Sequence, residues 1–239
     1  MGVHSKHWLA AVGLAVAIAV SGPSQAQETK QQQTAPPAAA TTEGWTGKVT
    51  DAGNAEVILS PGQLAAVNKV SGYFNGLTTL KGIFVQTDSD KTRSRGRFYV
   101  LRPGKFRFDY GPPSRKVMAS DGRFLRIREP DQINGDAYQL DNTPFRLLLK
   151  KDVDLVRDAR ILDVQESEDL IVLALQDKSP DAPGRVQLYF TKKPELDLKE
   201  WVVLDAQGLE TRVELSDLNK TDKIDSSIFV WENRMFQQP

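Results

Sequence analysis

Lys105-Phe106-Arg107-Phe108-Asp109-Tyr110 alternates charged and aromatic residues without a break, between the turn-forming triplets Arg102-Pro103-Gly104 and Gly111-Pro112-Pro113. A period of two places Phe106, Phe108 and Tyr110 on one face of a strand and Lys105, Arg107 and Asp109 on the other. Taken alone, this is the pattern of any core-facing strand. Its neighbours repeat it. Gly96 to Leu101, Lys116 to Ser120 and Arg123 to Arg128 read as further short strands, and Ile83 to Thr87 as one before them. Asp121-Gly122 between two apolar runs is the sharpest hairpin signal in the chain.

A second group follows: Arg160 to Val164, Leu170 to Gln176, Arg185 to Thr191, Glu200 to Leu204 and Thr211 to Leu218, with turns at Pro180 to Gly184 and at Gly208. Two helical segments interrupt this order. Ser60-Pro61 reads as an N-cap with proline at the first helical position, and Leu64, Val67, Val70, Phe74 and Leu77 form one apolar stripe, with Gly82 expected to close the helix. Between the strand groups, Asn142-Thr143 reads as a cap, Pro144 as the first helical residue, and Phe145 to Leu149 as a short apolar turn. The expected fold is mainly β with few helices: about ten antiparallel strands in one curved sheet or barrel.

The N-terminus reads as an address. Lys6 precedes an apolar run from Trp8 to Val20, and Ser24-Gln25-Ala26 supplies a small-residue cleavage site. The run is shorter than the roughly 20 residues of a spanning helix. We expect a signal peptide at 1–26 cleaved after Ala26, a low-complexity disordered linker at 27–58, and one folded domain at 59–236. The expected location is the periplasm.

The chain has no cysteine, and its two histidines, His4 and His7, lie within the expected signal peptide. The mature protein would then lack a cysteine nucleophile, a histidine general base, a Ser-His-Asp triad and a structural zinc site. Without an N-terminal cysteine to acylate, it is not expected to be a lipoprotein itself. Lys plus Arg equals Asp plus Glu at 31 each, so no net charge points to nucleic acid. Asp163, Glu166, Glu168 and Asp169 form an acidic group that could suggest carboxylate chemistry, but it falls in a turn, where a solvated loop is the plain reading. The expectation is no enzyme, no cofactor and no metal.

Several of these pieces together resemble a known family. Arg102 to Phe108, then Pro113 and Ser120-Asp121-Gly122, are similar to the signature region of the outer-membrane lipoprotein carriers (LolA). Phe84 and Gln86 resemble that family's first-strand pair, Asn142-Thr143-Pro144-Phe145 its lid start, and Ile224 to Phe229 its closing segment. The resemblance covers roughly Ser60 to Trp231. One departure stands out: Leu125 is followed by Arg126, Ile127 and Arg128 where relatives carry aromatics, and both arginines are expected to point outward.

The resemblance implies an incomplete, strongly curved antiparallel barrel whose concave face is closed by a helical lid. It implies a monomeric chaperone that takes triacylated lipoproteins from an ATP-driven release transporter in the inner membrane. Delivery would be to an outer-membrane receptor or to the outer membrane directly. The acyl-binding residues would be Val70, Phe74, Leu77, Phe84, Phe106, Phe108, Tyr110, Phe145, Leu148 and Leu149. Arg102 matches the family arginine that holds the lid closed. The alternative is a lipid-sensing periplasmic regulator on the same half-barrel. Such regulators usually carry a second domain, for which the residues after Trp231 leave little length. A structural accessory role at the outer membrane stays open.

Overall fold

A computed structural model describes residues 57–130, 135–143 and 145–230. The expected signal peptide, the linker up to 56, Pro144, and the domain end beyond Val230 lie outside the described residues. Among the described residues no helix is long and apolar enough to cross a membrane.

Helix α1 (Pro61–Gly76) opens with a capping box in which the Ser60 hydroxyl accepts from the Gln63 amide and the Gln63 side chain accepts from the Ser60 amide. It stops at Gly76, not at Gly82. Leu77 is already extended, and the β-branched Thr78-Thr79 pair begins a strand. The apolar stripe runs on through Leu77 and Leu80 because both elements face the same interior. Gly82 instead sits inside that strand at a bulge, where a Cβ would lie 2.7 Å from the Ser216 carbonyl oxygen and 2.9 Å from the Phe98 ring.

The strands are β1 (Thr79–Thr87), β2 (Arg93–Leu101), β3 (Lys105–Tyr110), β4 (Val117–Asp121), β5 (Phe124–Arg128), β6 (Asp136–Gln139), β7 (Ala159–Glu166), β8 (Leu170–Asp177), β9 (Arg185–Thr191), β10 (Asp197–Leu204) and β11 (Glu210–Asn219). They form one antiparallel sheet in the order β6-β5-β4-β3-β2-β1-β11-β10-β9-β8-β7. Among the described strands the only non-sequential neighbours are β1 and β11, so two meanders join along that seam. Among the described residues, strands β6 and β7 are free edges, and the barrel is unclosed. Strand β6, short and largely exposed, is the eleventh; its Asp-Ala-Tyr-Gln sequence carries no apolar alternation to announce it.

The sheet is strongly curved. Strands β3 and β10 are four strand spacings apart, roughly 19 Å in a flat sheet. Yet the Phe108 and Trp201 rings meet edge to face with centroids 6.1 Å apart. Gly96 shows how tightly the wall of the β1–β3 wing is drawn in. A Cβ there would lie 2.1 Å from the Asp109 carbonyl oxygen and 2.6 Å from the Phe84 ring, which covers the glycine and packs on Phe108 and Tyr110.

Helix α1 lies on the concave side of the other wing. Tyr73 and Phe74 both pack edge-on against Phe190 of β9, and Gln63 donates to the Val164 carbonyl of β7. On the convex side, the 3₁₀ turn Ser226–Phe229 covers β3 and β4, with Phe229 buried and Arg107 donating to the Ile228 carbonyl at 2.8 Å.

The acidic group does not all fall in a turn: Asp163 lies within β7 and accepts from the Gln165 side chain at 2.7 Å, while the others make surface ion pairs around the β7–β8 turn. Glu166 meets Lys69 and Lys192, while Glu168 and Asp169 meet Lys193.

Candidate functional site

The segment from Leu140 to Asp158 runs between the two free edges of the sheet. It contains a 3₁₀ turn (Leu140–Asn142), helix α2 (Arg146–Leu149) and helix α3 (Leu155–Asp158). The expected Asn142-Thr143 cap is not formed. The Thr143 hydroxyl turns back to donate to the Leu140 carbonyl at 2.7 Å, and α2 starts three residues later with no side-chain cap. Past α2, Asn75 of α1 grips Val153 through both its amide and its carbonyl at 2.8 Å each. Helix α2 is therefore a single turn suspended between pinned ends, a strap over the concave face.

Two groups on opposite wings hold this strap. On the β2–β3 side, the Arg102 guanidinium donates to the Lys150 carbonyl at 2.5 Å and, more weakly, to the Leu77 carbonyl at 3.4 Å. The Gly104 amide donates to the Leu149 carbonyl at 2.8 Å. Burial lowers the pKa of Arg102 below the ordinary arginine value, and its Nε is buried without a partner. A guanidinium stays protonated in a protein, so the fork remains a donor. On the β8 side, Arg146 forms a bidentate pair with Asp177 at 2.5 and 2.8 Å, and the Asp177 side chain is 1% exposed.

The turn that carries Arg102 is itself fixed. Gly104 has φ +73°, and a Cβ on it would lie 2.8 Å from the Cα of Gly122. The β2–β3 and β4–β5 turns are pressed together glycine to glycine, which aims Arg102 at the strap.

Beneath the strap is an apolar cavity. Its walls are Phe74 and Leu77 from α1, Leu80, Phe98, Val100, Phe106 and Phe108 from β1 to β3, and Phe145, Leu148 and Leu149 from the strap. Val186, Leu198, Trp201 and Leu215 supply the other wing, and Arg102 stands at the rim. At about 70 Å³ it is below the roughly 150 Å³ of an apolar cavity that admits benzene. At this volume the strap and the two wings nearly fill the space beneath α2.

Seven of the ten residues expected to line the cavity therefore converge here: Phe74, Leu77, Phe106, Phe108, Phe145, Leu148 and Leu149. Three sit elsewhere. Val70 is fully buried in the core beneath α1, and Phe84 covers Gly96. Tyr110 donates its hydroxyl to the Gln86 carbonyl oxygen at 2.7 Å, and burial pushes its pKa up. Arg126 and Arg128 alternate with the inward Leu125 and Ile127 and so lie on the convex face.

The second wing was not anticipated. Trp201 faces the cavity because of a bulge between Leu198 and Glu200, which brings both Leu198 and Trp201 inward. The run Trp201-Val202-Val203 has no alternation that would show which residue points in. The Arg146–Asp177 pair joins residues 31 apart in sequence and carries no local signal.

An unclosed antiparallel sheet with an apolar cavity under a short helix is the fold of the lipid-binding half-barrels. The chain belongs to the family described as outer membrane lipoprotein carrier protein LolA, whose model matches residues 75–232. An outer-membrane lipoprotein carrier protein of Chromobacterium violaceum is 28% identical over 176 residues, which covers 70% of this chain and 84% of the relative. A protein of the same description from Chromohalobacter salexigens is 26% identical over 180 residues, covering 71% of this chain and 84% of that one. Among solved structures, a LolA superfamily protein from Nitrosomonas europaea is 12% identical, with a TM-score of 0.40 and coverage of 69% of this chain and 97% of the other.

Proposed function

We propose that this protein is a periplasmic carrier that takes the acyl chains of lipoproteins released from the inner membrane into the cavity under α2 and gives them up at the outer membrane. The observation that carries this reading is the wholly apolar cavity closed by a strap held on both wings. A carrier needs affinity that can be reversed. Each buried methylene contributes about 0.8 kcal/mol, so three acyl chains in a rigid closed barrel would not leave. Here loading must break the Arg102–Lys150 bond and lift Phe145, Leu148 and Leu149 off the cavity. Closing restores both, and that free energy offsets the hydrophobic gain of holding cargo. Arg102 serves as the latch, because one planar fork can donate to two carbonyls on different elements. No bond to the cargo is made or broken.

The test is native mass spectrometry of the mature protein purified from the periplasm, with a variant carrying Leu148→Asp beside it. Co-purifying triacylated lipoprotein in the wild type and its loss in the variant is the expected result. A wild-type protein that instead co-purifies only with a periplasmic regulator domain would replace this reading with that of a lipid-sensing regulator.

A further inference from the structure

The sheet's outer face carries a feature that the cavity does not use. In β2, Arg93, Arg95 and Arg97 alternate with Ser94, Gly96 and the buried Phe98, so all three arginines stand exposed on the convex side. Successive members are roughly 6.8 Å apart along the strand. Between Arg95 and Arg97 and the Gly111-Pro112 turn lies a groove of about 530 Å³, with Ile83, Tyr99 and Asp109 also on its walls.

The groove's charge is not balanced. Its one carboxylate, Asp109, is held by Arg107 Nε at 2.8 Å, and the nearby Glu214 is shared with Arg93 at 3.5 Å. The side chains of Arg95 and Arg97 make no ion pair or hydrogen bond among the described residues. Two unpaired guanidiniums side by side repel each other, and an anion between them relieves that repulsion through up to five donors from each fork.

We propose that this groove binds the phosphate-bearing headgroups of an anionic bilayer surface, and so rests the protein on a membrane by its convex face. The shape favours a surface over a small partner. A straight row of arginines along one strand of an outward-curving sheet can meet a plane along its whole length. Ile83 and Val85, directly opposite Arg97 and Arg95 on β1, are half-buried apolar neighbours suited to the headgroup boundary. The cavity and its strap lie on the concave face, so docking by the convex face leaves them free.

The experiment is vesicle co-flotation of the full mature chain, with phosphatidylcholine vesicles and with phosphatidylcholine–phosphatidylglycerol vesicles. The wild type is expected to float only with the anionic vesicles, and to be released at molar salt, where screening shortens to about 3 Å. Each arginine near an anionic surface is worth about fivefold in partitioning, so Arg95→Gln with Arg97→Gln should lose roughly 25-fold. Uptake of an apolar dye by the double variant should match the wild type, which shows that fold and cavity are intact. Equal flotation with both vesicle types, or wild-type flotation by the double variant, overturns the proposal. So does release from anionic vesicles by inorganic phosphate at matched phosphate concentration, which would mark a free-phosphate site. Tighter binding to polyglutamate than to vesicles would also overturn it, in favour of an acidic polypeptide.

Discussion

Replacing Arg102 with leucine should make the protein keep its cargo. The strap is held by one guanidinium–carbonyl bond, from Arg102 to Lys150 at 2.5 Å; the second Arg102 bond, at 3.4 Å, ends on Leu77 at the close of α1 and survives a lifted strap. The Lys150 bond is worth about 2–3 kcal/mol, within the range for charged donors. Two closures survive the substitution: the Gly104 amide to Leu149 at 2.8 Å and the Arg146–Asp177 pair. The ratio of closed to open empty protein should therefore fall by roughly 30- to 150-fold. Closure of the empty protein competes with retention of cargo, so the release equilibrium should fall by the same factor. Loading should be normal or better. The assay has two steps: release of lipoprotein from inner-membrane vesicles into the soluble fraction, then transfer to outer membranes. Hydrogen exchange at the α2 amides would report the strap directly. Poor loading followed by normal transfer would refute the latch argument, and so would normal behaviour in both steps. Arg102→Lys should restore only part of the transfer, since an ammonium cannot reproduce the planar fork.

Asp177→Asn should loosen the other wing by about 1–2 kcal/mol, less than a fully buried pair because Arg146 is a third exposed; faster exchange at α2 with unchanged exchange in β1 is the expected readout. Gly104→Ala should destabilise the fold by about 2 kcal/mol or more, from its positive φ and the contact with Gly122, seen as a lower urea midpoint with an unchanged m-value. Leu148→Asp should abolish uptake of an apolar dye while leaving the sheet intact by circular dichroism, because an apolar ligand filling the cavity would bury the new carboxylate without a partner.

The sheet was legible wherever the period of two was clean. Lys105 to Tyr110 formed the expected strand without adjustment, and Asp121-Gly122 turned the expected hairpin between β4 and β5. The helix end was misplaced because Leu77 and Leu80 serve the same interior from two different elements, and hydrophobic period alone does not record the change. The cavity wall was legible on the β1–β3 wing, where aromatics alternate with charges. On the other wing a bulge decides which way Trp201 points, and a bulge is a matter of pairing with β9 and not of local sequence. Val70 and Phe84 met the same test as Phe74 and Phe106, being apolar and inward. What separated them was depth: one lies on the buried face of α1 deep in the core, and the other fills the space over a glycine.

The two free edges bear on capacity. In a closed barrel the girth is fixed by the number of strands and their stagger, so the bore comes in steps. Among the described residues, strands β6 and β7 share no ladder, and the covalent run through α2 and α3 bridges them. The gap between them can widen without the loss of a single inter-strand hydrogen bond. For the proposed carrier, such a bore would be adjustable continuously, so that one protein could gauge itself to payloads of different bulk.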